Sequence, residues 1–285
     1  MELMELRPFG ALGLVSALSL GGGGIGQVWG NTTRREAVAT VLAAVDAGIT
    51  FLDMAPLYGD GEAERVVGEA FHGRLPPDVR LGTKVMVGNP PLPETEARIR
   101  SSLAGSLERL RVDRVDLLLL HGNVVPDGYL MARGARHQDV FATSWSRYTE
   151  VVRPTLEALR NEGRIGAWGI SGVGLPKTVI AALRDEPRPA VVQVVTNLLD
   201  SAGAMRRFAE PPRPREILRA AADEGVPAMG VRAVQAGALT RALDRELPPE
   251  HPDRLDWERC RPWRGLAREL RTEPADLALR YALAL

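Results

Sequence analysis

The chain has 285 residues, 45% hydrophobic and 25% charged, with Lys+Arg and Asp+Glu balanced at 36 each. That length suits one large domain or two ordinary ones, with ample material for a buried core. A neutral balance excludes the basic footprint of a nucleic-acid binder and a polybasic membrane patch. A single cysteine, Cys260, excludes an intrachain disulfide framework and a Cys-rich zinc site. No apolar run approaches the length of a membrane span, and the N-terminus makes a poor signal peptide, so a cytoplasmic enzyme is expected. Only two of the 36 basic residues are lysines, Lys84 and Lys177. A lysine kept in such an arginine-rich chain marks a position where arginine could fail.

Strand-like runs fall at Val15–Leu20, Thr50–Asp53, Arg80–Val85, Val115–His121, Ile165–Ile170, Ala190–Val195 and Val226–Gly230. Most are continuously apolar, as strands buried on both faces should be. Helical patterns lie between them. Val38, Val41, Leu42 and Val45 follow caps at Asn31 to Thr33 and precede Gly48 as a stop. Ile99, Leu103, Leu107 and Leu110 form a second stripe. Pro176 and Pro214 stand where a first helical turn accepts proline. The last helices are expected near Trp263–Leu270 and Pro274–Leu285. The longest irregular stretch runs from Gly122 to about Ser146, after the fourth strand, and a loop that long is usually functional or mobile.

Alternating β and α at this spacing means a parallel sheet covered by helices, either a (β/α)8 TIM-type barrel or an open doubly wound sheet. No linker is visible, so residues 1–285 read as a single barrel domain. The count stops at seven strands and the sequence ends within a helical pattern, so the eighth βα unit of a barrel is missing from this reading.

Active sites in such barrels sit at the C-terminal ends of the strands. Those ends carry Asp53, with Tyr58 on the following loop, then Lys84, His121, Ser171 and Gln193, with Asn197 beyond. A nearby ammonium favours a phenolate, so Lys84 is expected to lower the pKa of Tyr58, with Asp53 holding Lys84 as an ion pair. His121 would bond a carbonyl oxygen. The set amounts to a proton donor aimed at a carbonyl. Lys84 could alternatively serve as the nucleophile of a Schiff-base aldolase. No partner histidine or cysteine stands at ligand spacing from His121, so no metal is expected. A literal GxGxxG occurs at Gly21, Gly23 and Gly26, but helical periodicity starts only near Arg34, so it reads as a glycine loop rather than a Rossmann site.

The segments FLDMAPLYGDGEAERVVGEAF, LGTKV, DRVDLLLLHG, GRIGAWGISG and AVVQVVTN, in that order, resemble the aldo-keto reductases over essentially the whole chain. The resemblance implies a βα barrel binding NADPH, less often NADH, and acting on a small-molecule carbonyl substrate. It implies Tyr58 as general acid, Lys84 tuning it, Asp53 anchoring Lys84 and His121 orienting the carbonyl. Ser171 and Gln193 would meet the nicotinamide carboxamide. Gly21 and Gly22, with Asp53, would line the cofactor's inner end, and Trp29 the substrate pocket. Three positions depart from the family pattern. Gly172 replaces an asparagine, Val231 stands where an aromatic stacks on nicotinamide, and Arg232 beside it would meet the pyrophosphate. A member that binds cofactor with little turnover is the remaining alternative.

Overall fold

A computed structural model describes residues 4–285. The chain opens with an antiparallel hairpin of β1 (Leu6–Pro8) and β2 (Leu14–Ser16), pairing Leu6 with Ser16 and Pro8 with Leu14. The apolar run Val15–Leu20 is therefore not one strand. It breaks after Ser16, whose amide donates to Thr50 Oγ1 (2.7 Å) while the Thr50 amide donates to Ser16 Oγ (2.8 Å). The first parallel strand is only β3 (Leu20–Gly21).

Helix α1 (Arg34–Asp46) follows, and Thr33 and Glu36 close a capping box at its start. Then come β4 (Phe51–Asp53), α2 (Glu62–Phe71), β5 (Arg80–Val85), α3 (Thr95–Leu110) and β6 (Val115–Leu120). The expected stripe of α3 is buried at all four positions. The stretch expected to be irregular carries short elements instead: β7 (Asn123–Val125), α4 (Ala135–Phe141) and β8 (Ala142–Ser144). A helical run continues through α5 (Trp145–Arg147), a π-turn at Tyr148–Val152 and α6 (Arg153–Asn161), and leads into β9 (Ile165–Ser171). The remainder is α7 (Pro176–Arg184), β10 (Val191–Val195), α8 (Pro214–Asp223), β11 (Ala228–Val231), α9 (Pro252–Arg259), α10 (Arg261–Glu269) and α11 (Pro274–Leu283). Proline occupies the first turn of α7 and α8, where its missing N–H costs nothing.

The chain divides into two compact units. The first comprises the described residues up to Gly122 together with Asp139–Ile170. Its sheet runs β3-β4-β5-β6-β9, all parallel. Leu117, Leu118, Leu119 and Leu120 are all buried, as parallel strands covered on both faces should be. In register, Asp53 lies beside both Gly21 and Gly82, and Lys84 beside Leu119. The second unit comprises Asn123–Gln138 and Ser171–Leu285. There β10 pairs in parallel with β11, Gln193 opposite Met229, and α8 packs on both strands. Among the described residues, no helix is long and apolar enough to cross a membrane.

Candidate active site

Four side chains meet at the strand ends of the first unit. Asp53 is the last residue of β4, Lys84 lies near the end of β5, and His121 directly follows β6. The His121 amide donates to the Val85 carbonyl (2.9 Å), which seats the histidine at the sheet edge. Tyr58 sits on the turn between β4 and α2. Its amide bonds the Ala55 carbonyl (3.0 Å), and its own carbonyl accepts from Ala63 (3.1 Å). The glycine loop after β3 lies against this turn. A Cβ on Gly26 would fall 2.7 Å from the Tyr58 carbonyl oxygen, so only glycine permits the approach.

Lys84 is the hub. Its side chain is fully buried, and its ammonium bonds Asp53 Oδ1 (2.7 Å), the Met54 carbonyl (3.0 Å) and Tyr58 Oη (3.1 Å). Three donors meet three acceptors, so the charge is fully solvated by protein. The His121 ring meets the Tyr58 ring edge-on, with centroids 5.9 Å apart. Next to the hub, the buried Glu64 carboxylate of α2 accepts from Thr83 (2.5 Å) and from Arg109 of α3 (2.6 Å), which clamps the helix following Tyr58 to β5.

The electrostatics differ from the expectation in one respect. Burial pushes the Tyr58 phenol above its ordinary pKa; the Lys84 ammonium opposes this, and the Asp53 charge reinforces it. Lys84 lowers the value as argued from sequence, but desolvation wins. Burial likewise presses the Lys84 ammonium down, yet Asp53 and Tyr58 together hold it above the ordinary lysine value. Both shifts favour a protonated phenol beside a protonated amine. A Schiff-base lysine needs the reverse, a free amine.

The other expected residues occupy the following positions. Gly22 donates to the Asp53 carbonyl (2.9 Å), and the space beside Gly21 is open. Trp29 is 61% exposed and packs beside Gly23. In the second unit, Ser171 ends β9 and Gln193 lies in β10, both buried, and the Gln193 amide donates to Met229 Sδ (3.1 Å). Gly172 admits no side chain, since a Cβ there would come within 2.9 Å of Val194, so the family's asparagine has no substitute. Arg232 follows β11 and is not free-standing: it pairs with Asp253 (2.7 Å) and donates to Gln235 (2.8 Å). Asn197 bonds Ser201, Arg232 and Gln235 within the same network. Cys260 is buried, and burial pushes its thiol up to about 11, which leaves it unreactive. Among the described residues, no group of three or more His, Cys, Asp or Glu is placed to hold a metal ion.

A nicotinamide ring with its carboxamide fits this donor set. Ser171 and Gln193 offer both hydrogen-bond donors and acceptors, as a carboxamide requires. The open space beside Gly21 adjoins the strand end that carries Asp53. Two features were not legible in the sequence. The Met54 carbonyl is a main-chain ligand of Lys84 with no side-chain signal, and Glu64 is a buried charge inside an otherwise apolar helix face.

The sequence signature of the aldo/keto reductase family matches residues 17–285. An L-galactose dehydrogenase from Arabidopsis thaliana is 31% identical over 198 residues, which is 68% of this chain and 56% of that protein, so the match spans little more than half of the relative's length. Among solved structures, an aldo-keto reductase from Bacillus halodurans in its holo form superposes with a TM-score of 0.68 at 25% identity, covering 99% of this chain and 83% of the other. An aldo/keto reductase from Klebsiella pneumoniae, solved with NADP and acetate, gives a TM-score of 0.67 at 24% identity over 99% and 82% of the two chains, a likeness of fold alone.

Proposed function

The chain belongs to the aldo/keto reductase family, with its (β/α)8 class of fold, and from that premise we propose that it is an NAD(P)H-dependent oxidoreductase interconverting a small carbonyl compound and its alcohol. The observation that carries the reading is the single ammonium of Lys84 bonded at once to Asp53 and to Tyr58 Oη. The bound nicotinamide cofactor supplies the hydride.

In this reading Tyr58 Oη gives its proton to the carbonyl oxygen as negative charge develops there. The raised pKa keeps the phenol protonated until that moment. Lys84 then stabilises the phenolate through the bond it already makes, with no reorganisation. Asp53 keeps Lys84 charged and fixes its direction. His121, held edge-on to the tyrosine ring, orients the carbonyl. Ser171 and Gln193 hold the carboxamide, and Gly21, Gly22 and Asp53 let the cofactor's inner end approach the backbone. Trp29 forms a wall of the substrate pocket. Arg232 meets the pyrophosphate through Nη1, the nitrogen not engaged by Asp253 or Gln235. We take NADPH as the preferred cofactor, with NADH as the alternative. Aldoses head the substrates to try, because the Arabidopsis relative is named for one.

The test has two readouts. Titration with NADPH and NADH, followed by quenching of the five tryptophans, gives binding. Consumption of reduced cofactor with an aldehyde and aldose panel gives turnover. Saturable binding with turnover supports the proposal. Binding without turnover supports the low-turnover alternative, which Val231 in place of a stacking aromatic favours. Absence of both refutes the reading.

A further inference from the structure

A cavity of about 410 Å3 opens in the second unit among the segments that follow β7, β9 and β10. Its volume lies within the ~300–1,000 Å3 typical of small-ligand sites. None of its lining residues has been given a part in catalysis or in holding cofactor.

The lining has a definite chemical character. Lys177 and Arg213 contribute cations, and Glu210 and Glu216 contribute carboxylates. The formal charge of the lining is zero, so no net field selects an anion or a cation. The four groups are not equally engaged. Arg213 pairs with Glu216 (2.8 Å), and the Tyr129 hydroxyl donates to Glu210 Oε2 (2.8 Å). That bond helps hold Glu210 below the usual carboxylate range, while burial and Glu210 push Tyr129 up to about 12. Tyr129 is thus a fixed donor and Glu210 a fixed acceptor with lone pairs to spare. Lys177 lines the cavity, is exposed, and makes no ion pair among the described residues. The Tyr129 ring and the pyrrolidine rings of Pro126 and Pro211 add carbon surface to the lining.

A ligand answering this lining is electrically neutral. It both donates and accepts at many points of its edge, and it presents C–H groups on its faces. Hydroxyl groups do the first, donating to carboxylates and accepting from an ammonium. A pyranose ring does the second. A simple anion would gain from Lys177 but would meet two carboxylates, and a simple cation would suffer the converse. We propose that this cavity is a carbohydrate-binding site, taking a neutral hexose-sized sugar with its hydroxyls on Lys177 and Glu210 and its C–H face against Tyr129 and the prolines. The site goes beyond the reductase reading and does not depend on it.

The two-lysine composition provides a direct probe. Reductive methylation with 13C-formaldehyde labels accessible amines and keeps their charge. Lys84 is fully buried and tied to three acceptors, whereas Lys177 is exposed. The dimethyl-Lys177 resonance, assigned by its loss in Lys177→Arg, therefore reports on the cavity alone. D-Glucose is expected to shift it saturably. Glu210→Gln is expected to weaken that binding about tenfold, with its melting temperature and cofactor titration unchanged. Glucuronate and glucosamine, the same pyranose skeleton carrying a charge, are expected to bind no more tightly than glucose. A resonance unmoved by glucose up to about 100 mM, where millimolar binding is saturated, refutes the proposal. So does glucuronate or glucosamine binding about tenfold more tightly than glucose, since the cavity would then be an ion site. A Glu210→Gln protein that binds glucose as the parent does would remove the assigned contact and the proposal with it.

Discussion

Removing the Lys84 ammonium should damage stability and catalysis together, and the two losses can be separated. Lys84→Met leaves a similar apolar volume but takes the counter-ion at 2.7 Å from the Asp53 carboxylate, whose side chain is only 8% exposed. Breaking a buried pair from one side costs about 3–5 kcal/mol, because the remaining buried charge has lost its compensating counter-charge. For a chain of this length, about 2 °C of melting temperature per kcal/mol gives a fall of roughly 6–10 °C. Asp53→Asn should cost a similar amount by stranding the ammonium instead. The double variant Asp53→Asn, Lys84→Met has no stranded charge, so most of the melting temperature should return, since replacing both partners of a buried pair is often nearly neutral. Catalysis should not return. Tyr58 would have lost the group that stabilises its phenolate, and turnover should stay down by about 10²–10⁴-fold, the range for losing acid–base assistance. Thermal melts and cofactor consumption on all four proteins form the cycle. A double variant as unstable as the sum of the singles would show that the pair is not coupled. A double variant with restored turnover would show that Lys84 serves the fold and not the proton donor.

Tyr58→Phe removes only the hydroxyl; turnover should fall by about 10²–10⁴-fold while NADPH binding by tryptophan quenching stays within about twofold, and a near-normal rate would end the general-acid assignment. Tyr58 and Lys84 both hold their protons more tightly when folded than when unfolded. The stability they confer is therefore complete below their unfolded values near ~10 and is lost as pH rises through the folded ones. Melting curves should show no pH dependence from these groups between about pH 6 and 9 and a decline above about pH 10, which the Tyr58→Phe, Lys84→Met double variant should flatten. Thr33→Ala opens the capping box of α1 and should cost ~1 kcal/mol in a denaturant titration; no measurable loss would mean that the exposed cap is solvated equally well without its side chain. Arg232→Ala takes the 2.7 Å cation from the buried Asp253, leaving it Arg245 at 3.8 Å, and should cost more free energy of folding than of cofactor binding; the reverse order would make the pyrophosphate contact its main role.

The strand ends were legible because parallel strands are apolar along their length, and a polar residue at the end of one is conspicuous. Asp53, Lys84 and His121 were found in this way, and the structure places them around Tyr58. Much of what stayed hidden shares one physical cause: burial of polar groups through pairing at long sequence separation. The run Val15–Leu20 looks like one strand until Ser16 finds Thr50, 34 residues on. Helix α2 escaped the apolar pattern because Glu64 lies on its buried face, matched to Thr83 and Arg109. Helix α9 escaped because its buried positions are Asp253 and Asp256, the first held by Arg232 and the second by Gln235 and Ser201. Periodicity detects helices that bury carbon; it does not detect those that bury charge against a partner elsewhere in the chain. The direction of the Tyr58 pKa was hidden for the same reason, since Lys84 is visible at strand spacing while the desolvation that outweighs it arises only in the folded chain. The Asp53–Lys84 pair belongs to this same class of buried, partnered charge. It was legible where the others were not because lysine is scarce in this chain, and a residue that arginine has replaced nearly everywhere else stands out where its three compact donors are required.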